Sequence, residues 1–190
     1  MRTTLTSLAV ALALGSLASC GGGGDGGNQA GEAQTGKAKD AAGDKTIATG
    51  LGSNGRFAAL AKTAGLDQTL AGPGPYTVFV PDDAAIAKVP AETSAAWSKP
   101  EGRGEVTRLL TYHIVPGVVL ADDLGKAIDR GKGKAQIITM GGGTLTAAKE
   151  GGSIVITDGN GGKVTVTKAD EQYLNGAVHH IDGVLTPGKN

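Results

Sequence analysis

The chain has 190 residues, 18 basic and 18 acidic side chains and so no formal net charge, 39% hydrophobic residues, 33 glycines and one cysteine. Neutrality excludes the electrostatic footprint that a nucleic-acid-binding surface needs, and a single cysteine excludes an internal disulfide framework. The core must hold itself together, over a length that suits one domain.

The first residues read as an export signal. Arg2 supplies a charge, Leu8 to Leu14 an apolar core, and Leu17-Ala18-Ser19-Cys20 small residues before a cut. The apolar core is shorter than the roughly 20 residues that span a bilayer. Ending on cysteine resembles the bacterial lipobox, in which the cysteine sulfur receives a diacylglycerol and the new amino terminus is acylated. Cys20 is therefore the predicted lipidation site, with residues 1–19 as the leader. Two or more acyl chains hold a protein stably, so the resemblance implies a membrane partner and a location in the bacterial envelope. Gly21, rather than Asp, after the cysteine points by analogy to outer-membrane sorting, with the domain periplasmic or surface-exposed. Residues 20–44 carry no aromatic and no branched apolar side chain and cannot offset their ordering entropy. They are predicted to form a tether reaching on the order of 25 to 30 Å.

Residues 45–190 form the predicted domain. Phe57, Leu60, Ala61 and Ala64 recur at helical spacing, with Gly65 at the left-handed C′ position and Leu66 folding back on the last turn. Gly72-Pro73-Gly74-Pro75 forces a turn, and Tyr76 to Val80 reads as a buried strand closed by Pro81. Asp82 is placed to cap a short helix through Val89. Ser98 and Glu101 have capping-box spacing ahead of a helix to about Thr111, with apolar face Val106, Leu109 and Leu110. Tyr112-His113-Ile114-Val115 reads as a strand broken at Pro116-Gly117, and Asp122 to Ile128 as a further helix.

From Ala135 the period changes. Ile137-Ile138, Thr144 to Thr146, Ile154 to Thr157, Val164 to Thr167 and Val178 to Val184 are short strands divided by glycine-rich turns, the clearest being Asp158-Gly159-Asn160-Gly161-Gly162. Helices in the first half and strands in the second give an α+β fold with a mainly antiparallel sheet.

Chemistry-bearing constellations are sparse. Gly50-Leu51-Gly52-Ser53-Asn54-Gly55 spells G-x-G-x-x-G, but Thr46-Ile47-Ala48 is a meagre strand ahead of it and no βαβ alternation follows. It is read as a lead-in, with Ser53 or Asn54 as N-cap. His179 and His180 point to opposite faces of one strand, and no spacing joins them to His113 as metal ligands. His113 is expected in the core, hydrogen-bonded through a ring nitrogen. Asp82 and Asp83 fit the positive end of a helix better than a paired acid/base. No nucleophile elbow or P-loop occurs. No catalytic residue, metal ligand or cofactor is predicted, and the protein is read as non-enzymatic. Trp97 is expected to pack, and Arg130, Lys132 and Lys134 form a small solvated basic loop.

Three stretches together resemble a known family. Tyr76-Thr77-Val78-Phe79-Val80-Pro81-Asp82-Asp83-Ala84-Ala85-Ile86 resembles the first box of the fasciclin (FAS1) domain. Leu109 to Gly117 resembles its Tyr-His motif, and Asn175 to Pro187 its second box, in matching order and spacing. Ile86, Asp82-Asp83 and His180 depart from the usual Phe, Thr-Asn type pair and apolar residue. The resemblance implies a wedge of about seven mainly antiparallel strands with several helices along one side, acting as an adhesion or interaction module for protein or matrix polysaccharide. It makes Tyr112 and His113 the candidate partner-contact residues, and Thr77, Phe79, Pro81, Asp82, Asn175, His179 and Asp182 structural motif residues. Val78, Val80, Ile114, Val178, Ile181 and Val184 should fill the core, while Asn175 and Asp182 tie loops. A monomeric domain with an unidentified surface partner is expected. The alternative is a periplasmic lipoprotein binding a small or stress-related molecule in a pocket near His113 and Trp97.

Overall fold

Strict alternation of buried side chains organises the centre of the domain. In Tyr76–Pro81 (β1) Val78 and Val80 face one way, Thr77 and Phe79 the other, and all four are buried. A strand covered on both faces needs two cores. The computed structural model describes residues 44–52 and 55–188. The export signal, Cys20, all but the last residue of the expected tether and the expected caps Ser53 and Asn54 lie outside the described residues.

β1 pairs in parallel with Gly176–Ile181 (β7), from Tyr76 opposite Gly176 to Pro81 opposite Ile181, and antiparallel with Ile114–Pro116 (β2). Lys134–Ile138 (β3), Thr144–Glu150 (β4), Ser153–Thr157 (β5) and Lys163–Tyr173 (β6) follow as an antiparallel series, and β6 joins β7. The order is β2-β1-β7-β6-β5-β4-β3. The sheet curls until its ends meet: Met140 N–H donates to the Ile114 carbonyl at 2.7 Å and Gly141 N–H to that of Thr111 at 3.0 Å.

The helices are Ile47–Leu51 (α1), Arg56–Ala64 (α2), Asp67–Ala71 (α3), Asp83–Ala87 (α4), Ala91–Trp97 (α5), Arg103–His113 (α6) and Ala121–Arg130 (α7). Phe57, Leu70, Ile86, Trp97, Val106 and Leu110 pack on Val78, Val80 and Val178 to make the outer core. Phe79, Tyr112, Ile137, Leu145, Ile156, Val164 and Ile181 make the inner core, to which α7 adds Leu124 and Ile128. Each such burial contributes roughly 1.5 to 3 kcal/mol. The α+β wedge of seven mainly antiparallel strands with helices alongside is the fold expected from the motifs.

Several local expectations are corrected. Tyr112 and His113 close a helix rather than open a strand. The His113 ring donates from Nδ1 to the Leu109 carbonyl at 2.9 Å, one turn back along α6, a bond that ties the last helical residue to its own helix and offsets the strand preference of the run. Ser98 ends α5, and its hydroxyl donates to the Ser94 carbonyl. The chain then enters α6 through a 3-10 turn at Pro100–Gly102, so no capping box forms. Asp82 occupies the N-cap position of α4 without a side-chain cap bond, and that helix stops at Ala87. Thr46-Ile47-Ala48 is the start of a helix, with Thr46 as its N-cap. The cap expected for α2 falls on Gly55, and the Arg56 N–H is taken by Asp83 Oδ1 at 2.9 Å. The other end of α2 is as expected: Gly65 has φ 75° and Leu66 N–H reaches back to the Ala61 carbonyl.

Candidate interaction site

Tyr112 and His113 leave α6 in opposite directions because neighbouring positions on a helix cannot share a face. His113 is 0% exposed and edges the Phe57 ring at 6.2 Å. With Nδ1 donating to Leu109, its Nε2 accepts the Leu185 N–H at 3.1 Å. Both ring nitrogens are thus used by a neutral imidazole, and burial lowers its pKa to about 4. Tyr112 crosses the inner core, donating its hydroxyl to the Thr144 carbonyl at 3.1 Å and accepting the Gly159 N–H at 2.8 Å. Burial raises its pKa. The pair joins three segments distant in sequence: the start of β4, the β5–β6 hairpin and the carboxyl-terminal run.

The first and second boxes do similar work at the opposite end of the sheet. Thr77 Oγ1 donates to the Gly117 carbonyl and accepts the Val119 N–H, each at 2.8 Å. His179 donates from Nε2 to the Val119 carbonyl at 2.8 Å, accepts the Asp170 N–H on Nδ1 at 3.2 Å, and lies tilted against Phe79 at 5.5 Å. Burial lowers its pKa. Asp170 sits at φ 61° in a β6 bulge, and its Oδ1 takes the Ala121 N–H at 2.8 Å, capping α7 from another element. Pro81, which has no N–H to offer, ends β1 opposite Ile181.

Asn175 uses its whole amide: Oδ1 accepts the Ile47 N–H at 2.8 Å, and Nδ2 donates to the Leu70 and Gly72 carbonyls at 2.7 and 2.8 Å. Asp182 Oδ1 accepts the Thr165 N–H at 2.7 Å. On the other face of β7 from His179, His180 Nε2 lies 2.9 Å from Glu171 Oε2 and Nδ1 lies 3.4 Å from Asp82 Oδ1. Asp82 Oδ2 also accepts from the Thr167 hydroxyl at 3.3 Å. The Tyr173 hydroxyl bond, with those of His180 and Lys168, lowers the Glu171 pKa to about 2, while burial and Glu171 raise that of Tyr173. Both carboxylates beside His180, those of Asp82 and Glu171, are thus engaged within the fold. Among the described residues no group of three His, Cys, Asp or Glu side chains is placed to hold a metal.

The surface over Tyr112 is different. A cleft of about 310 Å³ is lined by Arg108, the Gly141-Gly142-Gly143 turn, Thr144, Gly159 and the Pro187-Gly188 run. A side chain at Gly143 would run into the Tyr112 ring, and one at Gly141 would press on Thr111, so the tyrosine itself requires the bare backbone there. Arg108, one helical turn before Tyr112, donates to the Gly188 carbonyl at 3.2 Å and is otherwise exposed. Beside the turn, Ile138 is 67% and Met140 39% exposed. Guanidinium, open backbone and apolar side chains make a surface suited to recognition. The cleft beside Trp97, about 220 Å³, has Leu60 and Ile86 among its walls but not His113. The Trp97 indole is buried and donates to Glu105 at 3.3 Å.

Sequence reasoning missed Arg108, Asp158 and Asp170. Arg108 is signalled only by its helical spacing to Tyr112. Asp158 opens the predicted hairpin turn; it accepts from Asn160 and Gly162 on Oδ1, and from the Thr186 N–H and hydroxyl on Oδ2. Asp170 has no sequence signal, since a non-glycine residue at positive φ follows from tertiary closure.

The family model for the fasciclin domain matches residues 54–187. Protein sll1483 of Synechocystis sp. is 32% identical over 147 residues, covering 77% of this chain and 71% of that protein. Stabilin-1 of Mus musculus is 32% identical over 133 residues, which are 70% of this chain and 5% of the much longer relative. A solved FAS1 domain pair from the insect cell adhesion molecule fasciclin I aligns with TM-score 0.61 at 22% identity, over 75% of this chain and 51% of that one. With most of the domain matched, and the two boxes and the Tyr-His motif packed into one sheet, the chain belongs to the fasciclin domain family.

Proposed function

We propose that the chain is a lipid-anchored, non-enzymatic interaction module, held on the bacterial envelope through Cys20 and binding a protein or matrix polysaccharide. The observation that carries the reading is how the motif residues are used. Thr77, Tyr112, His113, Asn175 and His179 are all committed to the scaffold, so recognition falls to the surface they support. That surface is the Arg108 cleft with Ile138 and Met140 beside it. Tyr112 and His113 act on a partner by positioning it from beneath. Among the described residues no helix is long and apolar enough to cross a membrane. Attachment is assigned to Cys20 by its lipobox-like setting after Leu17-Ala18-Ser19. Display in many copies lets modest single-site affinities add as avidity. The name of the insect relative, a cell adhesion molecule, is consistent with such a role.

The test compares wild type with Arg108→Glu and Met140→Glu for retention of purified envelope polysaccharide and surface proteins. Each exposed substitution should weaken binding on the order of tenfold or more at unchanged melting temperature. Wild-type binding by both would remove this surface from the proposal. In cells, Cys20→Ala should move the protein into a soluble fraction, and persistence in carbonate-washed membranes would refute lipid anchoring.

A further inference from the structure

A second concavity lies between α1, α2 and α3, apart from the Tyr112 cleft. It has a volume of about 570 Å³, with walls of Ala48, Leu51, Ala58, Ala59, Ala61 and Leu70. That size falls in the range of roughly 300 to 1,000 Å³ typical of small-ligand sites. Four of these six side chains are single methyl groups. They leave open an apolar trough that a longer residue at any of those positions would partly fill, and they offer no ring for stacking. Such walls suit a flexible aliphatic chain better than a planar ring.

The polar groups at the same groove are Lys62, Thr63 and Asp67. Lys62 is in the last turn of α2 and Asp67 in the first turn of α3, where each sign is favoured by the helix ends. Neither pairs with an opposite charge among the described residues. Asp67 accepts a long 3.4 Å bond from the neighbouring Gln68 amide, and the Thr63 hydroxyl donates to the Ala59 carbonyl. The lining of the groove therefore presents one cation and one anion beside a methyl-lined trough, while the Arg103 guanidinium lies outside it, over Gly65. A purely anionic head would meet Asp67, and a purely cationic one Lys62.

We propose that this groove binds a single-chain amphiphile with a zwitterionic ammonium–phosphate head, its alkyl chain along the alanines, its phosphate at Lys62 and its ammonium at Asp67. The site does not depend on the interaction surface proposed above, and either assignment can fail without the other. The ligand chemistry is that of a lysophospholipid, to which a protein held at a membrane is exposed.

The test is calorimetric titration of the full chain carrying Cys20→Ala with lysophosphatidylethanolamines of increasing chain length, each below its micelle concentration. One molecule should bind per protein, with affinity rising about fourfold per added methylene while the groove is filling. Dodecanoate should bind on the order of tenfold more weakly than the zwitterion of equal chain length. Lys62→Glu, an exposed substitution, should weaken the zwitterion by a similar factor while lowering the melting temperature by no more than a few degrees, roughly the cost of the reversed charge at the helix end, and Ala59→Phe at the exposed rim should block it at unchanged melting temperature. Absence of saturable binding, affinity independent of chain length, or equal binding by Lys62→Glu would overturn the proposal.

Discussion

Asn175 places a full amide against three backbone groups that have left water, the Ile47 N–H and the Leu70 and Gly72 carbonyls. Removing the amide leaves all three short of a partner, and a buried unsatisfied group costs about 1 to 3 kcal/mol. Asn175→Ala should therefore lower stability by on the order of 3 kcal/mol, read as a drop in urea midpoint at constant slope. Asn175→Asp retains the acceptor for Ile47 but turns the second group from donor into acceptor, facing two carbonyl oxygens. It should destabilise at least as much as alanine at neutral pH. A variant of either kind with wild-type midpoint would show that α1 and α3 are not held by this residue. The sequence marks Asn175 as a loop tie through its place in the second box. Its partners were not legible, because they lie more than a hundred residues away in short helices without periodicity of their own.

At the level of elements, a helix and a turn constrain each other. The Tyr112 ring from α6 fills the space where the Gly143 side chain would be, whereas a methyl group at Gly104, near the start of the same helix, would meet nothing within 4 Å. Gly143→Ala should overpack the ring and cost about 1 to 3 kcal/mol. Gly104→Ala should instead stabilise by about 0.5 to 1 kcal/mol, by reducing unfolded-chain freedom and raising helix propensity. Thermal melts of the pair settle the sign: two shifts in the same direction would contradict the placement of Tyr112. Elements with their own punctuation were readable from sequence. Gly65 marks the end of α2, the proline-glycine run marks the start of β1, and Asp158 to Gly162 marks the β5–β6 hairpin. The five-residue helices α1 and α3 are too short for a 3.6-residue period to declare itself, whereas α4, equally short, was signalled by Asp82 at its start. The second half of β6 was hidden for another reason. Lys168 to Gln172 is polar, and two register shifts break its alternation, so only pairing with β7 defines it as strand.

The whole molecule is joined by β1 and β7, whose parallel pairing puts the amino-terminal helices and the carboxyl-terminal strands on one sheet. On either side of that seam sits a buried neutral histidine accepting a backbone N–H, His113 from Leu185 and His179 from Asp170. Protonation would turn each acceptor into a donor facing an N–H, so acid acts on both ends of the domain at once. The His113 pKa is about 4 in the fold against 6.5 when exposed, and a lowered base pKa means that the unfolded chain binds the proton first. The stability His113 confers is full above about pH 6.5 and falls as pH drops towards 4, by on the order of 3 kcal/mol. His179 shifts in the same direction and adds to the loss. Glu171, held at about 2 against 4.5, acts lower: its contribution is present above about pH 4.5 and disappears as pH falls towards 2. Urea midpoints of the full chain should therefore decline in two windows, pH 6.5 to 4 and pH 4.5 to 2. His113→Leu should flatten much of the first and leave the second, whereas Glu171→Gln should do the reverse. A first window unchanged in His113→Leu would mean that the ring takes up its proton in the folded state without cost, and that the Leu185 bond does not hold the second box to α6.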